Sequence, residues 1–171
     1  MARVLVGVTG GIAAYKACEL VRLFVRAGHE VVPLVTPGAD RFVRAETFHA
    51  LARRKPEAEL YPHLQRADLY VIAPLTANTL AKLAYGIADN VVAETALAHD
   101  GPVLVAPAMN VRMWQHPATQ ANVETLRSRG IEFVDPAEGE LAEGEEGVGR
   151  MAEPVEVFER AQELLGASNS L

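Results

Sequence analysis

Apolar runs alternate with helix-like segments along most of the chain. The apolar runs, rich in Val, Ile or Leu, are 4–8, 30–36, 68–74, 102–107 and 131–136. Short runs of this kind predict strands that are buried on both faces. Apolar residues with helical spacing follow at 12–27, 78–87, 90–98, 119–129 and 154–165, with weaker helices near 39–42 and 46–53. The alternation predicts βαβ units, and therefore a Rossmann-like (flavodoxin-like) α/β fold whose parallel sheet is flanked by helices on both faces.

One segment, 139–151, departs from this pattern. Its sequence, GELAEGEEGVGRM, is rich in Gly and Glu and lacks apolar periodicity. This composition predicts a loop, and a loop of that length within a compact fold is either disordered or a functional flap. The total of 171 residues, with 50% hydrophobic content, is enough for one hydrophobic core and too short for two typical domains. We therefore expect a single domain over residues 1–171.

Composition excludes several classes of partner. The formal net charge is −6 at pH 7, and no stripe of Lys and Arg is present to neutralise phosphates. We therefore expect no nucleic-acid surface. The single cysteine, Cys18, has no partner for an internal disulfide, which is typical of a reducing cytoplasm. The first apolar run is too short for a signal peptide or a membrane span, so we expect a soluble cytoplasmic protein without membrane contact. No metal site is predicted.

The segment 102–114, PVLVAPAMNVRMW, carries polar, sulfur and aromatic side chains directly after a predicted strand. Met109, Met113 and Trp114 are interpreted most simply as core residues of a following helix. Asn110 lies among them, and an amide NH2 donates hydrogen bonds to a planar anion such as a carboxylate. Ligands of open α/β sheets bind beyond the carboxyl ends of strands, which is where this segment begins.

Two glycines follow the first predicted strand, in VTGGIAAYK. Gly10 and Gly11 permit close approach of a ligand to the backbone, and the N–H groups of a helix from Ile12 suit a phosphate. A Gly-Gly turn of this kind also occurs without any ligand. The GxGxxG spacing is absent, and the second strand ends at Thr36 where a ribose-binding acid is expected, so NAD is disfavoured. The Thr36 hydroxyl is placed to contact the same ligand.

The third predicted strand ends in APLTANT, with Pro74, Thr76, Asn78 and Thr79 at the start of the next helix. Helix capping explains one or two of these polar residues and leaves the others without a structural role. Three successive strand ends thus carry glycine-rich or polar turns at one edge of the sheet. That arrangement predicts a mononucleotide lying across the carboxyl ends of the strands.

The stretches TGGIAAYK, APLTANTLAKLAYGIADN and PAMNVRMW, in this order, resemble the flavin-dependent cysteine decarboxylase family over residues 3–165. That family includes the phosphopantothenoylcysteine decarboxylases of coenzyme A synthesis and decarboxylases that act on a C-terminal cysteine of ribosomal peptides. The resemblance implies oligomers built from trimers, whose interfaces complete each flavin site. It also implies that FMN is bound by Thr9, Gly10, Gly11, Ile12, Thr36, Pro74, Leu75, Thr76, Asn78, Thr79 and Ala108.

The resemblance further implies that oxidation of the substrate thiol to a thioaldehyde supplies an electron sink for decarboxylation, the electron chemistry belonging to the cofactor. A histidine assists the oxidation in that family, and Asn110 matches the asparagine that holds the carboxylate. The catalytic candidates are therefore His63 and Asn110. The candidate substrate contacts are Met109, Asn110, Met113 and Glu143.

This chain differs from the family pattern at the histidine. The family histidine stands eight residues before the Asp that opens the third strand, and here that position is Leu60. His63 lies five residues before Asp68. Because three residues make about one helical turn, a deletion would leave His63 on the same face. The competing histidine is His49, which lies in a predicted helix without a catalytic role in the relatives.

A second difference lies in the predicted flap, where phosphopantothenoylcysteine decarboxylases commonly carry a proton-donating cysteine and this chain has Glu143. The leading hypothesis is therefore oxidative decarboxylation of a peptide's C-terminal cysteine to an enethiol. The first alternative is phosphopantothenoylcysteine decarboxylation, with Glu143 or water as the proton donor. A non-catalytic flavoprotein subunit is the second alternative. A prenyl-flavin synthase shares the fold, and the intact AMNVRMW segment argues against it.

Overall fold

The computed structural model describes residues 1–55, 61–140, 142, 144 and 146–170. Its strands are β1 Arg3–Val8, β2 Glu30–Val35, β3 Leu69–Leu75, β4 Val103–Pro107, β5 Glu132–Phe133, β6 Ala137–Glu140 and β7 Glu146–Arg150. Its helices are α1 Ala14–Arg26, α2 Pro37–Asp40, α3 Ala45–Leu51, α4 Ala77–Tyr85, α5 Val91–Ala98, α6 Val111–Gln115, α7 Pro117–Ser128 and α8 Pro154–Ser168, with a 3-10 turn at Pro62–Leu64.

Five strands form one parallel sheet in the order β2-β1-β3-β4-β5. The order reverses between β1 and β3, so the connections from β1 leave on one face and those from β3 leave on the other. All five predicted strands are present, although the last predicted strand, 131–136, pairs with β4 only at Glu132 and Phe133. The predicted α/β fold is confirmed.

Strand β1 shows how the sheet divides the core into two halves. Val4, Val6 and Val8 pack with α1, α3 and α8 on one face, and Leu5 packs with α4, α5 and α7 on the other. All four side chains are fully buried, as expected for a strand that is covered on both faces. This burial holds the strand ends rigidly, and the turns that follow them are positioned by the same core.

The segment 139–151 contains more regular structure than its composition predicts. Strands β6 and β7 pair antiparallel, with Gly139 opposite Gly147 and Glu140 opposite Glu146. Residues 139–140 and 146–150 therefore lie in strands, where the composition predicted a loop. Pairing of backbone groups needs no apolar periodicity, which is why the hydrophobic pattern missed it.

None of the helices in the described part of the chain is long and apolar enough to cross a membrane.

Candidate functional site

A cavity of about 900 Å³ opens at the carboxyl edge of the sheet. The turns that follow β1, β2, β3 and β4 line it, together with the hairpin formed by β6 and β7. Its volume lies in the range of cofactor and substrate sites. The predicted residues that line it are Gly10, Gly11, Ile12, Thr36, Thr76, Asn78, Thr79, Ala108, Met109, Asn110 and Met113. Residues from four separate stretches of sequence thus meet at one site.

The Gly10–Gly11 turn is shaped by its contact with the turn after β2. A Cβ on Gly10 would lie 3.0 Å from the carbonyl carbon of Gly38, so a side chain at position 10 would force the two turns apart. A Cβ on Gly11 would have Thr76 as its nearest neighbour at 3.8 Å, facing the cavity. Gly10 therefore permits packing of the two turns, while Gly11 keeps the backbone accessible to a ligand.

Thr9, Pro74 and Leu75 are buried and do not line the cavity. The Thr9 hydroxyl donates to the Pro74 carbonyl at 2.7 Å and accepts from the Thr76 backbone N–H at 3.0 Å. These residues therefore lie beneath the cavity lining and do not border the cavity themselves. Their predicted direct contact with the cofactor does not follow from this geometry.

Two threonines on the lining also cap helices. The Thr36 hydroxyl accepts from the Ala39 N–H at 3.1 Å at the start of α2, and the Thr76 hydroxyl accepts from the Thr79 N–H at 3.3 Å at the start of α4. Thr76 also donates to the Thr79 hydroxyl at 3.3 Å. Asn78 is exposed on the first turn of α4 and lines the cavity. Capping thus accounts for Thr36 and Thr76, and Asn78 presents its amide to the site.

Asn110 begins the five-residue helix α6, where its side-chain oxygen accepts from the Arg112 N–H at 2.8 Å. Because only the amide oxygen can accept this hydrogen bond, the bond fixes the orientation of the Asn110 amide. The NH2 group is the donor end of the side chain. Met113 follows on the same short helix, half exposed, and lines the cavity. Met109 and Trp114 pack partly buried against the core, which agrees with the simpler interpretation of those two side chains.

The hairpin is bonded directly to the Asn110 segment. The Met109 N–H donates to the Gly149 carbonyl at 2.9 Å. A Cβ on Gly149 would overlap the Met109 carbonyl oxygen, and a Cβ on Gly147 would lie 2.9 Å from a methyl of Val111. Two glycines thus let β7 lie against residues 109–111 at backbone distance. Sequence composition marked these glycines as loop residues, whereas their structural role is close packing.

Three cations on the cavity lining were missed by the sequence analysis. Lys16 is 5% exposed and donates to the Met151 carbonyl at 2.8 Å. Burial lowers the pKa of the Lys16 ammonium, and the adjacent carboxylate of Glu153 opposes that shift. The available signal was its spacing, because Lys16 precedes Leu20 and Phe24 at intervals of four on the apolar stripe of α1.

The other two missed cations are Lys82 and Arg150. Lys82 donates to both Asp89 carboxylate oxygens, at 2.8 and 2.9 Å, and its hydrogen bond is the main cause that lowers the Asp89 pKa. Arg150, at the end of β7, donates to Glu153 at 3.1 Å. Lys16 and Arg150 share the Glu153 carboxylate, so the three cations have two carboxylate partners and these positions carry a net positive charge.

The remaining catalytic candidates lie elsewhere. His63 does not line the cavity, and its Nε2 lies 2.9 Å from a carboxylate oxygen of Glu94 on α5. The N-cap of the same helix, Asn90, does line it, so His63 and Glu94 lie about one helical turn from the rim. His49 on α3 is also absent from the lining. Glu143 lies outside the described residues.

Comparison with known proteins identifies the family. The flavoprotein family model matches residues 1–166. The coenzyme A biosynthesis bifunctional protein CoaBC of Mycobacterium tuberculosis (strain ATCC 25618 / H37Rv) is 46% identical over 178 residues, covering 99% of this chain and 43% of the relative. The chain therefore spans less than half the length of that relative.

Two solved structures are similar over nearly their whole length. A cysteine-to-serine mutant of PPC decarboxylase, complexed with pantothenoylaminoethenethiol, gives a TM-score of 0.84 at 32% identity, covering 94% of this chain and 96% of that one. The FMN-dependent cysteine decarboxylase SpaF gives 0.83 at 31% identity, covering 99% and 98%. The resemblance stated from the three sequence motifs is confirmed, as is FMN as the cofactor. The chain belongs to the flavoprotein family, among the FMN-dependent cysteine decarboxylases.

Proposed function

We propose that this chain decarboxylates phosphopantothenoylcysteine, the step of coenzyme A biosynthesis that the sequence analysis placed second. The supporting observation is the 46% identity, across 99% of the chain, to a coenzyme A biosynthesis protein. The leading hypothesis from sequence, a peptide substrate, has weaker support, because the peptidyl-cysteine decarboxylase EpiD is only 21% identical to this chain. The missing flap cysteine had favoured a peptide, but Glu143 at that place lies outside the described residues and provides no structural argument.

The cavity has the features that FMN requires. Backbone N–H groups at Gly11 and the start of α1 suit the phosphate, and the hydroxyl and amide groups of Thr76, Thr79 and Asn78 suit polar edges of the flavin. When bound there, FMN supplies the two-electron oxidation of the substrate thiol. The protein contributes the binding surface and the orientation of the thiol and carboxylate.

Asn110 is the proposed carboxylate ligand. Its oxygen accepts from the Arg112 N–H, and its NH2 group is the chemical donor that suits an anion. Holding the carboxylate fixes the bond that breaks relative to the bound cofactor, which raises the rate through orientation. Met113, half exposed on the same helix, provides apolar surface for the rest of the substrate.

We further propose that trimer-based self-association completes the site, with His63 acting at the cavity of a neighbouring copy. Two observations support this. His63 lies outside the lining of its own cavity, and Ile12 and Tyr15, both on that lining, are each 57% exposed. Sedimentation of the FMN-loaded protein should give a multiple of three chains, and a monomer would contradict the proposal. Mixing His63→Asn and Asn110→Ala subunits should restore activity that neither variant has alone.

The substrate test is mass analysis after incubation of the FMN-loaded chain with each substrate in air, so that dioxygen can reoxidise flavin that a peptide substrate reduces. Loss of about 44 mass units from phosphopantothenoylcysteine, with a saturated thiol product, supports the proposal. Loss of about 46 units from a peptide ending in cysteine, with an enethiol product, would support the peptide hypothesis instead. If neither mass loss is observed, both hypotheses are contradicted. Asn110→Ala is the inactive variant, and Gln115→Ala, exposed on the same helix, is its matched control.

A further inference from the structure

Lys16 is a buried cation whose role the proposed chemistry does not explain. It lies on the first turn of α1 with 5% of its surface exposed, and it borders the cavity. Burying an ammonium is unfavourable unless hydrogen bonds and an opposite charge compensate. Lys16 has both, since its Nζ donates to the Met151 carbonyl at 2.8 Å and to a Glu153 carboxylate oxygen at 3.2 Å.

Both partners of Lys16 lie where the hairpin returns to the main fold. Met151 directly follows β7, and Glu153 is the N-cap of α8. Two residues before Met151, the Gly149 carbonyl accepts the hydrogen bond from the Met109 N–H. Asn110 follows Met109 in the chain. A short path of bonded groups therefore runs from Lys16 through the end of β7 to the proposed carboxylate ligand.

The ion pair with Glu153 is weak evidence for a stabilising role, because the Glu153 side chain is 56% exposed and solvent screens the attraction. The backbone bond to Met151 is more informative. It reaches from a helix at the start of the chain to a carbonyl 135 residues later, and it adds a polar tie to the hairpin end, where the buried Met151 side chain supplies the apolar packing that β7, with Val148 as its one apolar residue, lacks. An ammonium on a four-carbon stem supplies the reach and the donors that this anchor needs.

We propose that Lys16 is a positioning residue: it holds the end of β7 on α1, keeps the Gly149 carbonyl against the Met109 N–H, and thereby sets the position of Asn110. The effect on the hairpin does not depend on the substrate. The effect on catalysis rests on the proposed function.

Hydrogen exchange of the FMN-loaded full chain tests the positioning directly, because the Met109 amide is the donor in the contact. Lys16→Met keeps the volume and removes the donors, and it should speed exchange at Met109 about tenfold. Exchange at Ile72, inside β3, should stay unchanged. Lys16→Arg retains a donor and should restore much of the protection. Lys82→Met is the matched control, since Lys82 also borders the cavity but pairs with Asp89 and not with the hairpin.

Unchanged exchange at Met109 in Lys16→Met would overturn the proposal. So would equal acceleration at Met109 and Ile72, because that result indicates global destabilisation. If Lys16→Met does not fold, Lys16→Leu replaces it, and failure of both to fold would likewise overturn a positioning role.

Kinetics separates this proposal from the proposed function. Lys16→Met should raise KM for phosphopantothenoylcysteine about tenfold with a smaller change in kcat. Unchanged kinetics, with the exchange effect present, would overturn the link from the hairpin to Asn110. If the unaltered chain shows no activity, the proposed function fails, and the exchange result alone decides whether Lys16 anchors β7.

Discussion

The Thr9 hydroxyl bonds to the end of β3 and to the turn after it, donating to the Pro74 carbonyl at 2.7 Å and accepting from the Thr76 N–H at 3.0 Å. Thr9 directly follows the neighbouring strand β1, so one buried hydroxyl sets the spacing between the glycine turn and the Thr76 turn. Both turns line the cavity. The proposed FMN site therefore depends on a residue that does not itself border the cavity.

Thr9→Val should weaken FMN binding and lower the free energy of unfolding. The substitution preserves shape, but it leaves the partly buried Thr76 N–H without its acceptor, which costs about 1–3 kcal/mol. FMN affinity should fall because the two turns are no longer held together. Titration of apoprotein with FMN and urea unfolding measure the two effects.

Thr95→Val is the matched control for Thr9→Val. Thr95 is fully buried too, but its hydroxyl donates to the Val91 carbonyl within α5 and joins no two turns. FMN affinity should be unchanged in this variant. Equal FMN affinity in Thr9→Val and Thr95→Val would show that the Thr9 bonds do not set the cofactor site.

Gly149→Ala should disrupt the substrate site more than its size suggests. The new methyl would overlap the backbone oxygen of Met109, which no change of rotamer relieves, so β7 must move away from residues 109–111. We expect a loss of about 1–3 kcal/mol in stability, as for other overpacked sites. KM for substrate should rise because residues 109–111, which include Asn110, lose their packing contact with β7.

Gly166→Ala provides the comparison. Its added Cβ meets nothing within 4 Å on helix α8. It should stabilise the protein by about 0.5–1 kcal/mol, because alanine is a better helix former than glycine. Substrate saturation curves should not distinguish it from the unaltered chain. A Gly149→Ala protein with normal KM would contradict the proposed role of the β7 contact.

The sheet and the site edge were predictable because each rests on a local pattern. Buried strands such as Val4–Val8 carry an apolar run, and the carboxyl ends of parallel strands necessarily meet at one edge. The turns at Gly10, Thr36, Thr76 and Asn110 could therefore be assigned to one edge from the order of strands and helices along the chain. The order and the residues of the motifs at these turns were sufficient to recognise the family.

The contacts that sequence missed are those between distant stretches. Lys16 bonds to a carbonyl 135 residues away, and Gly149 packs on Met109 from a segment without apolar periodicity. Neither partner can be inferred from local spacing, because backbone carbonyls carry no side-chain signature. Thr9 was assigned to the cofactor from its neighbours, while the structure shows it bonded beneath the Thr76 turn. The strand ends were thus easier to predict than the groups that support them.

His63→Asn should abolish reduction of bound FMN by substrate, because the family resemblance assigns assistance of the thiol oxidation to a histidine. Glu94→Gln tests the hydrogen-bond partner of His63. A carboxylate only accepts hydrogen bonds, so Glu94 requires a proton on His63 Nε2 at 2.9 Å and leaves Nδ1 as the acceptor in the neutral ring. Glutamine also offers a donor, and the tautomer should become mixed. Flavin absorbance during anaerobic mixing and imidazole ¹⁵N shifts measure the two effects.

The control for His63→Asn is His29→Asn. His29 lies just before β2 and pairs with Gln162 on α8, away from the cavity lining. Its replacement should leave flavin reduction unaltered. Normal reduction in His63→Asn would remove His63 from the catalytic set and leave Asn110 as the remaining candidate.

Tyr70 should make the fold sensitive to alkaline pH. Its hydroxyl donates to the Val92 carbonyl at 2.8 Å, and burial raises its pKa well above the ordinary value of 10.0. In the unfolded chain the hydroxyl loses its proton above about pH 10, whereas the folded hydroxyl keeps it. The folded state then binds more protons, so stability is retained below that pH and falls above it, by up to about 1.4 kcal/mol per pH unit.

Tyr70→Phe removes this dependence at the cost of one hydrogen bond. Near pH 8 the variant should be less stable by about 1 kcal/mol, because the Val92 carbonyl loses a donor. The deficit should shrink above about pH 10 and vanish near pH 11, since phenylalanine has no proton to lose. Urea unfolding at a series of pH values measures both curves. Tyr85→Phe, at a side chain 76% exposed, should give a difference that is flat with pH. If the Tyr70→Phe curve instead runs parallel to that of the unaltered chain up to pH 11, the buried hydroxyl does not set the alkaline limit.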